Sequence, residues 1–357
     1  MAQSSQLASQ GSDARRITPR LSVCIATFMR APYLRQTLDS VFLDLPTNVE
    51  VLLVDGASPD DTASVVAEFR ADHPELKYFR EPINSGVDAD YDRAVRYASG
   101  DYCWLMTDDD LLRPGAVTRV LAAIAGGPDL VVVNAEVRDA KLETVLDERL
   151  MKFGEDRHYG PGDADAFMAE VGSFISFVGG VVIRRAGWLD RSDGTYFGTL
   201  FAHVGVICQA PFLLPAHVIA EPLVVIRYGN AMWTARGFEI WMFKWPQLIW
   251  SFQGVADRAK ATVTARDPWR SFKRLVLFRG TGGYSDAEYG TFLHTRASAA
   301  WRPVCRAIAM MPAKLANFVG ATYCAYINPK ARVTMYDLSR SIHSTSASRW
   351  MARGLLK

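Results

Sequence analysis

The sequence predicts an α/β protein in which a mostly parallel β-sheet is flanked by helices and followed by a helical C-terminal extension. Strand-like and helix-like stretches alternate over the first 135 of its 357 residues, as they do in parallel sheets covered by helices on both faces. Apolar residues make up 49% and charged residues 22% of the chain. That composition is typical of globular proteins and excludes a wholly disordered, collagen-like or coiled-coil chain.

Apolar, β-rich runs predict five strands in this first part, and a helical pattern follows each of the first four. Pro32 and Pro114 open two of these helices, since proline suits the first helical turn. Gly100 ends another helix. The five predicted strands cover residues 21–28, 50–54, 76–79, 102–106 and 129–133.

Beyond residue 140 the alternation weakens, although residues 177–183 and 218–227 still read as strands. From residue 238 an aromatic helical pattern begins, with a kink predicted at Pro246. The first nineteen residues are polar and lack an apolar core, which favours a disordered leader over a signal peptide. The predicted organisation is therefore a leader (1–19), an α/β domain (20–230) and a basic, aromatic helical region (231–357).

The net charge of +2 conceals an asymmetry, because residues 255–357 hold 17 Lys and Arg but only 5 Asp and Glu. An acidic body with a basic C-terminal region suggests two different roles. The five cysteines form no CxxC pair, which favours reduced core residues of a cytosolic protein over disulfides or a zinc site. No apolar run reaches 18 residues, so no transmembrane helix is predicted.

Three adjacent carboxylates, Asp108, Asp109 and Asp110, follow the fourth predicted strand. Ligands on parallel sheets bind outside the carboxyl ends of the strands. Adjacent carboxylates repel one another unless a cation offsets them, and Mg²⁺ or Mn²⁺ binds one or two carboxylates together with substrate phosphates. A solvated loop that caps the helix at Pro114 is the alternative, and the position after an apolar strand favours the metal.

A second polar cluster begins at Asp55, directly after the second predicted strand. A carboxylate there can accept hydrogen bonds from a nucleobase or a ribose hydroxyl, or simply form the Asp-Gly turn. Asn84 and Gly86 follow the next strand and, with Arg93, would shape a nucleotide pocket. Arg93 is equally compatible with a surface ion pair.

These segments resemble the family 2 glycosyltransferases, whose fold is the GT-A nucleotide-diphospho-sugar transferase fold. The resemblance is carried by residues 22–30 (SVCIATFMR), 53–62 (LVDGASPDDT), 84–86 (NSG) and 100–114 (GDYCWLMTDDDLLRP). It covers about residues 20–135 and is strongest toward bacterial polysaccharide enzymes, including abequosyltransferase-like members.

The resemblance implies an inverting transfer of a sugar from a nucleoside-diphosphate sugar donor, assisted by Mg²⁺ or Mn²⁺. In the DXD motif of the family, Asp109 or Asp110 would bind the metal at the diphosphate, and Asp108 would hold the ribose or the metal. The metal would neutralise the charge that develops on the leaving diphosphate. The register of the motif leaves the choice between Asp109 and Asp110 open.

The same resemblance assigns the nucleotide side of the cleft. Asp55 would contact the base or the ribose, and Thr27 and Arg30 would line the pocket. Met29 stands where the family often has asparagine, and Ala26 replaces a common proline. These departures affect the base pocket more than the chemistry.

Inversion needs a general base that takes the proton of the acceptor hydroxyl. The family usually supplies it from a Glu-Asp pair beyond a glycine-containing strand, but residues 200–204 read LFAHV and contain no acid. His203 is the candidate there, since the unperturbed pKa of histidine is near neutrality. Asp190 and Asp193 are rivals upstream, and a core histidine is the competing interpretation of His203.

Two C-terminal features remain. Arg227 could hold a diphosphate, and Trp233 could stack on a sugar or pack against the next helix. Residues 301–327 are apolar, aromatic and basic but broken by Pro312. Such segments lie on anionic membrane surfaces, or they pack as ordinary helices against a domain.

The sequence thus predicts a metal-dependent glycosyltransferase at the cytoplasmic face of the inner membrane. Its acceptor would be a hydroxyl of a glycan or lipid-linked glycan in surface polysaccharide synthesis. No nucleic-acid-binding motif accompanies the basic region, so nucleic acid is not an expected partner. An inactive scaffold that binds nucleotide-sugar or membrane is the alternative. A nucleotidyltransferase is disfavoured because residues 27–30 (TFMR) lack the expected glycine-rich loop.

Overall fold

The computed structural model describes residues 20–231 and 235–356. The predicted leader (1–19) and Trp233 lie outside these ranges. Within them, ten strands join in one sheet. The strands are β1 (Leu21–Thr27), β2 (Val49–Asp55), β3 (Lys77–Arg80), β4 (Tyr102–Met106), β5 (Leu111–Leu112), β6 (Leu130–Arg138), β7 (Val145–Asp147), β8 (Arg157–Tyr159), β9 (Val181–Arg184) and β10 (Ala216–Arg227).

Helices α1 to α7 belong to the α/β part of the chain. They are α1 (Ala31–Phe42), α2 (Thr62–Asp72), α3 (Val87–Tyr97), α4 (Ala116–Ile124), α5 (Ala164–Val171), α6 (Arg185–Arg191) and α7 (Ala202–Cys208). The later helices are α8 (Gly237–Glu239), α9 (Trp245–Ser251), α10 (Asp257–Val263), α11 (Phe272–Thr281), α12 (Asp286–Glu288), α13 (Arg302–Met310), α14 (Ala313–Thr322), α15 (Arg332–Arg340) and α16 (Ser346–Leu355).

The strand order along the sheet is β3-β2-β1-β4-β9-β6-β10-β5. The first four strands of this order are parallel, as predicted. β9 then lies antiparallel between β4 and β6, so the sheet is mixed beyond β4. Every residue of β1, β2 and β4 is buried, because helices cover both faces of the parallel part.

The strand order reverses at β1, which pairs with β2 on one side and with β4 on the other. A crevice therefore opens beyond the carboxyl ends of β1 and β4, where ligands of such sheets bind. Both polar clusters predicted from the sequence lie at this edge, since β2 ends at Asp55 and β4 ends at Met106.

The aromatic helical stretch begins as predicted near residue 238. Residues Ile240–Lys244 form a π-helical turn, and Pro246 lies in the first turn of α9, where proline needs no hydrogen-bond donor. Ile240, Trp245 and Leu248 pack into the core that covers the sheet. Phe238 instead joins a separate cluster with α11 and α13. The domain boundary at residue 230 stays a prediction, and this packing extends the sheet core past it.

The helix α15 attaches the C-terminal region to the sheet. The Tyr228 hydroxyl, just after β10, donates to Oδ2 of Asp337 at 2.9 Å. Arg332 donates to the carbonyl of Val145 at 3.0 Å, and Tyr336 shares an apolar cluster with β6 and β7. The C-terminal helices are therefore bonded to β7 and to the end of β10.

All five cysteines are buried free thiols, as their apolar neighbours in the sequence suggested. Over residues 20–231 and 235–356, no helix has both the length and the apolar character needed to cross a bilayer.

Candidate active site

An acidic turn, Asp108–Asp110, follows β4 at the mouth of the crevice, and all three side chains are buried. Oδ2 of Asp109 accepts hydrogen bonds from the Arg30 guanidinium at 2.8 Å and from the Asn230 amide at 2.9 Å. Nε of Arg30 also lies 3.5 Å from Oδ1 of Asp108. Arg30 is the residue before α1, so the topology brings it from β1 across to the carboxylates at the end of β4.

Asp110 makes different contacts from its two neighbours. Its Oδ2 accepts the Thr107 hydroxyl at 2.5 Å, and its Oδ1 accepts the main-chain N–H of Arg227 at 2.7 Å. Both oxygens are thus already bonded within the protein. Asp110 anchors the end of β10, and Asp108 and Asp109 are left as the carboxylates facing the crevice.

The Arg227 side chain has structural contacts as well. Its Nε donates to the Asp109 carbonyl at 2.9 Å, and its other nitrogens reach the carbonyl of Ala140 and the Gln36 amide oxygen. The guanidinium also lies 5.2 Å from the centre of the Tyr33 ring. Arg227 therefore braces the acidic turn from behind, and the diphosphate role considered for it has no support in these contacts.

The electrostatics of the acidic turn favour a cation. Burial raises the pKa of Asp108 to about 7, and the neighbouring Asp109 charge adds to the rise. Burial also raises the pKa of Asp109, against the opposing effect of the Arg30 charge. Arg30 supplies one positive charge to this pair. A divalent cation with a diphosphate would let both carboxylates ionise, so the residues fit a metal bound by two carboxylates and substrate.

The described residues contain no group of three or more His, Cys, Asp or Glu side chains arranged to hold a metal by themselves. A site completed by the donor diphosphate is consistent with this, since Mg²⁺ commonly takes only one or two protein carboxylates.

Asp55 and Thr27 are neighbours across β2 and β1, where they form the last pair of the ladder. Asp55 is fully buried. Its Oδ1 accepts the Ser58 N–H at 2.8 Å, and its Oδ2 accepts the Tyr78 hydroxyl at 2.7 Å. These bonds fix the turn after β2, so Asp55 shapes the floor of the crevice beside β1.

The predicted loop residues Asn84 and Gly86 lie exposed beside this floor. Oδ1 of Asn84 accepts the Gly86 N–H at 2.8 Å, and Gly86 has a φ of +89°, a conformation that favours glycine. Arg93 pairs with Asp90 at 3.0 Å and with Glu81 at 3.4 Å, so the ion-pair interpretation describes its contacts.

Two residues of this edge were not predicted. Asp90 is buried, and burial raises its pKa to about 6. A Cβ atom at position 56 would lie 2.7 Å from Oδ2 of Asp90, which explains why glycine follows Asp55. Asn230, which bonds Asp109, lies 121 residues later in the chain, and no local pattern marks it. The Asn-x-Gly motif could have pointed to Asp90, four residues beyond Gly86.

The three candidates for the general base have different environments. His203 lies inside α7 and is buried, and its Nε2 donates to the Ile175 carbonyl at 2.9 Å. Burial lowers its pKa to about 4. These are the contacts of a core histidine. Asp190 and Asp193 are both exposed, and the N–H and side chain of Thr195 lower the pKa of Asp193.

Helix α3 connects the acidic turn to the loop of Asp193. Its Tyr91 hydroxyl donates to the carbonyl of Met106, the last residue of β4, at 3.1 Å. One turn earlier, Asp88 accepts the N–H groups of Gly198, Leu200 and Ala202 at 2.8, 2.9 and 3.0 Å. Asp88 therefore holds the loop before α7 at the carboxyl edge of the sheet, a role that the sequence did not reveal.

A cavity of about 730 Å³ lies beside the turns that precede β9. Gly179 and Gly180 lead from it into β9, whose first residues pair with the end of β4. Its lining combines aromatic faces with polar groups: Leu150, Met151, Lys152, Phe153, Arg157, Glu170, Ser173, Phe174, Ser176 and Phe177. Such a surface suits a sugar, which has both apolar faces and hydroxyl groups.

Comparisons with known proteins agree with this architecture. Residues 22–177 match the profile described as Glycosyl transferase family 2, a span that contains every motif on which the predicted resemblance rests. The resemblance is thereby confirmed. The structure of S. aureus TarS 1–349 in complex with UDP-GlcNAc superposes with a TM-score of 0.50 at 14% identity, covering 94% of this chain and 89% of that one. The predicted GT-A fold is confirmed.

Among curated relatives, the abequosyltransferase RfbV of Salmonella typhimurium is 25% identical over 237 residues, 61% of this chain and 69% of the relative. The GalNAc(5)-diNAcBac-PP-undecaprenol beta-1,3-glucosyltransferase of Campylobacter jejuni is 31% identical over 104 residues. That alignment covers 29% of this chain and about a third, 34%, of the relative.

Proposed function

We propose, on the premise that residues 22–177 form a Glycosyl transferase family 2 domain, that the protein transfers a sugar from a nucleoside-diphosphate sugar to a hydroxyl of a glycan. The observation that carries this proposal is the meeting of Arg30 with Asp108 and Asp109 beyond the carboxyl ends of β1 and β4. For the acceptor we propose a lipid-linked glycan, a class supported by the name of the Campylobacter jejuni relative, which is a glucosyltransferase for a PP-undecaprenol-linked glycan.

The donor nucleotide would lie between the acidic turn and the loop at Asn84. Thr27 and Asp55 form the floor, and Asn84 and Gly86 lie exposed at its rim. Arg30 carries the positive charge of this crevice, and its contacts with Asp109 place it where an incoming diphosphate would pair with it.

Asp109 and Asp108 would hold a Mg²⁺ or Mn²⁺ ion, with Asp110 retained as the anchor of β10. Bound there, the ion would offset negative charge on the leaving diphosphate. Asn230 donates to the same Asp109 oxygen that Arg30 contacts, and thereby orients this carboxylate.

The acceptor would enter from the cavity beside Phe174 and Phe177. Its hydroxyl oxygen would attack the anomeric carbon on the face opposite the diphosphate, which leaves with the electron pair of the broken bond and inverts the configuration. A carboxylate would take the hydroxyl proton. Asp193 suits this step better than His203, because Asp193 is exposed whereas His203 is buried and bonded to the Ile175 carbonyl.

The scaffold alternative also has an observation in its favour. No acid occupies residues 200–204, and His203 is bonded into the core. A protein that binds the donor without turnover would show the same acidic turn. Incubation with nucleotide-sugars separates the two functions, since a transferase releases free nucleoside diphosphate and an inactive binding protein does not.

Isothermal titration calorimetry with UDP, GDP, CDP and dTDP, each with Mn²⁺ and with EDTA, tests the proposed donor site. We expect one nucleotide to bind in a metal-dependent manner. Asp109→Asn should weaken that binding at least about tenfold, since it removes a charge from the metal. Asp44→Asn, which changes an exposed carboxylate in the turn after α1, is the matched control. If the folded protein binds none of the four nucleotides, the proposal is wrong.

A further inference from the structure

The helix α14 continues through a π-helical turn, Tyr323–Ile327, so that residues 313–327 form one continuous helix. One side of it is buried through small residues and Cys324, which pack against the other C-terminal helices. The opposite side is apolar as well. Leu315, Phe318, Val319 and Tyr326 have exposed fractions of 50%, 45%, 47% and 69%.

We call these four residues the outer stripe. Their spacings of three, one and seven residues place them on one face of the helix. A helix at the surface of a globular protein normally presents polar residues on that face. Two further apolar side chains are exposed nearby in the chain, Met310 at the end of α13 (65%) and Ile327 at the end of the stripe's own helix (72%). An exposed apolar helix face of this kind marks an interaction surface.

The part of the chain that carries the outer stripe is strongly basic. Residues 272–356 contain 12 Lys and Arg but 3 Asp and Glu. Across this range, which the structure describes throughout, none of the basic side chains forms an ion pair. Arg306 and Lys314 are exposed close to the stripe in the chain, and Lys273 bonds the Tyr323 hydroxyl at its edge. The positive charge of this region is therefore available to an external anionic partner.

We propose that the outer stripe docks the protein on an anionic membrane surface. A helix of fifteen residues is about 22 Å long, and lying flat it would bury its apolar face among the acyl chains while the neighbouring Arg and Lys side chains contact anionic headgroups. The occupant is a membrane and not a second copy of the chain. A two-fold contact through this stripe would bring two unpaired basic surfaces together, which is electrostatically unfavourable.

This inference goes beyond the proposed transfer reaction and does not depend on it, because vesicle binding requires neither nucleotide nor turnover. It would place the crevice next to a membrane, where a lipid-linked acceptor is found.

Flotation of the full-length protein with phosphatidylcholine vesicles, with and without phosphatidylglycerol, tests the proposal. Wild type should float with the anionic vesicles, less so in high salt, and hardly at all with phosphatidylcholine alone. The double variant Leu315→Glu/Phe318→Glu should bind at least about tenfold more weakly, since two apolar side chains lose their burial. Leu43→Glu changes an apolar side chain that is 63% exposed just after α1, away from the outer stripe in the chain, and should bind like wild type.

Thermal unfolding and nucleotide titration show whether the double variant is folded. The proposal is overturned if wild type does not float with anionic vesicles, or if the folded double variant floats as well as wild type. Sedimentation velocity tests whether the stripe binds a second copy of the chain instead. That would be the result if wild type is a dimer that does not bind vesicles and the double variant is a monomer.

Discussion

The main-chain N–H of Arg227 donates a 2.7 Å hydrogen bond to Oδ1 of Asp110, which joins the end of β10 to the acidic turn after β4. These residues are 117 positions apart in the chain. The bond explains why three consecutive carboxylates occur in one turn: two face the crevice, and the third fastens the turn to the sheet. Removing the third should therefore affect stability before it affects chemistry.

Asp110→Ala should lower the free energy of unfolding by about 1–3 kcal/mol, because it leaves the buried N–H of Arg227 without an acceptor. Asp110→Asn keeps an oxygen for that N–H and should cost less. Urea unfolding followed by circular dichroism measures both. An alanine variant as stable as wild type would show that the bond to Arg227 does not secure the turn.

Asp88→Ala should act on the acceptor side of the reaction. It removes the carboxylate that holds the N–H groups of Gly198, Leu200 and Ala202, so the loop before α7 loses its anchor. We expect a several-fold rise in the KM for the acceptor while donor binding by calorimetry changes little, together with about 1–3 kcal/mol of lost stability. Asp88→Asn should recover part of both. Equal losses for donor and acceptor would argue against a positioning role.

The two classes of base candidate can be separated by isosteric replacements. Asp193→Asn should reduce kcat by about 100-fold or more, the usual contribution of a general base. His203→Gln should stay within a few-fold of wild type, since the glutamine amide can still donate to the Ile175 carbonyl. A large loss of kcat in His203→Gln, with the fold intact, would return the base role to His203. Asp190→Asn serves as the exposed neighbouring control.

Stability should depend on pH through Asp337. Burial raises the pKa of this carboxyl to about 6, above the unfolded value near 4. The folded protein thus keeps a proton that the unfolded chain releases, so this contribution to stability is complete below pH 4 and is lost as pH rises through 6. Asp337→Asn should make the free energy of unfolding less dependent on pH between 4 and 8, by an amount on the order of 2 kcal/mol, as urea unfolding at several pH values would measure. An unchanged pH profile would contradict the assignment.

The sequence predicted the parallel part of the fold well, because its signals are local. Buried strands read as continuous apolar runs, and proline and glycine mark the helix ends around them. For β9 the prediction was only partly right: a strand was predicted over residues 177–183, but it covers Val181–Arg184 after a 3-10 turn, and its direction was not predicted. Its antiparallel pairing with β4 and β6 depends on the path of the chain after residue 140, which no local pattern specifies.

The site could be predicted only where its residues follow a strand directly. Asp55 and the acidic turn met this condition. Asn230 and Asp88 act on partners about 110 to 120 residues away, and only the folded chain brings these pairs together. For His203 the position in the sequence was misleading. It lies where the family usually has its general base, but in the structure it is buried and bonded to the Ile175 carbonyl.

The bonds between α15 and the strands near the crevice bear on the modularity of this protein. Tyr228 and Asp337, and likewise Val145 and Arg332, are joined across the boundary between the sheet and the C-terminal helices. A chimera that exchanges the C-terminal region for that of a relative would have to preserve both members of each pair. Substitutions at the paired residues on the two sides of this boundary should therefore occur together in evolution. A chain that acquires a new C-terminal region would also need matching substitutions in the α/β part.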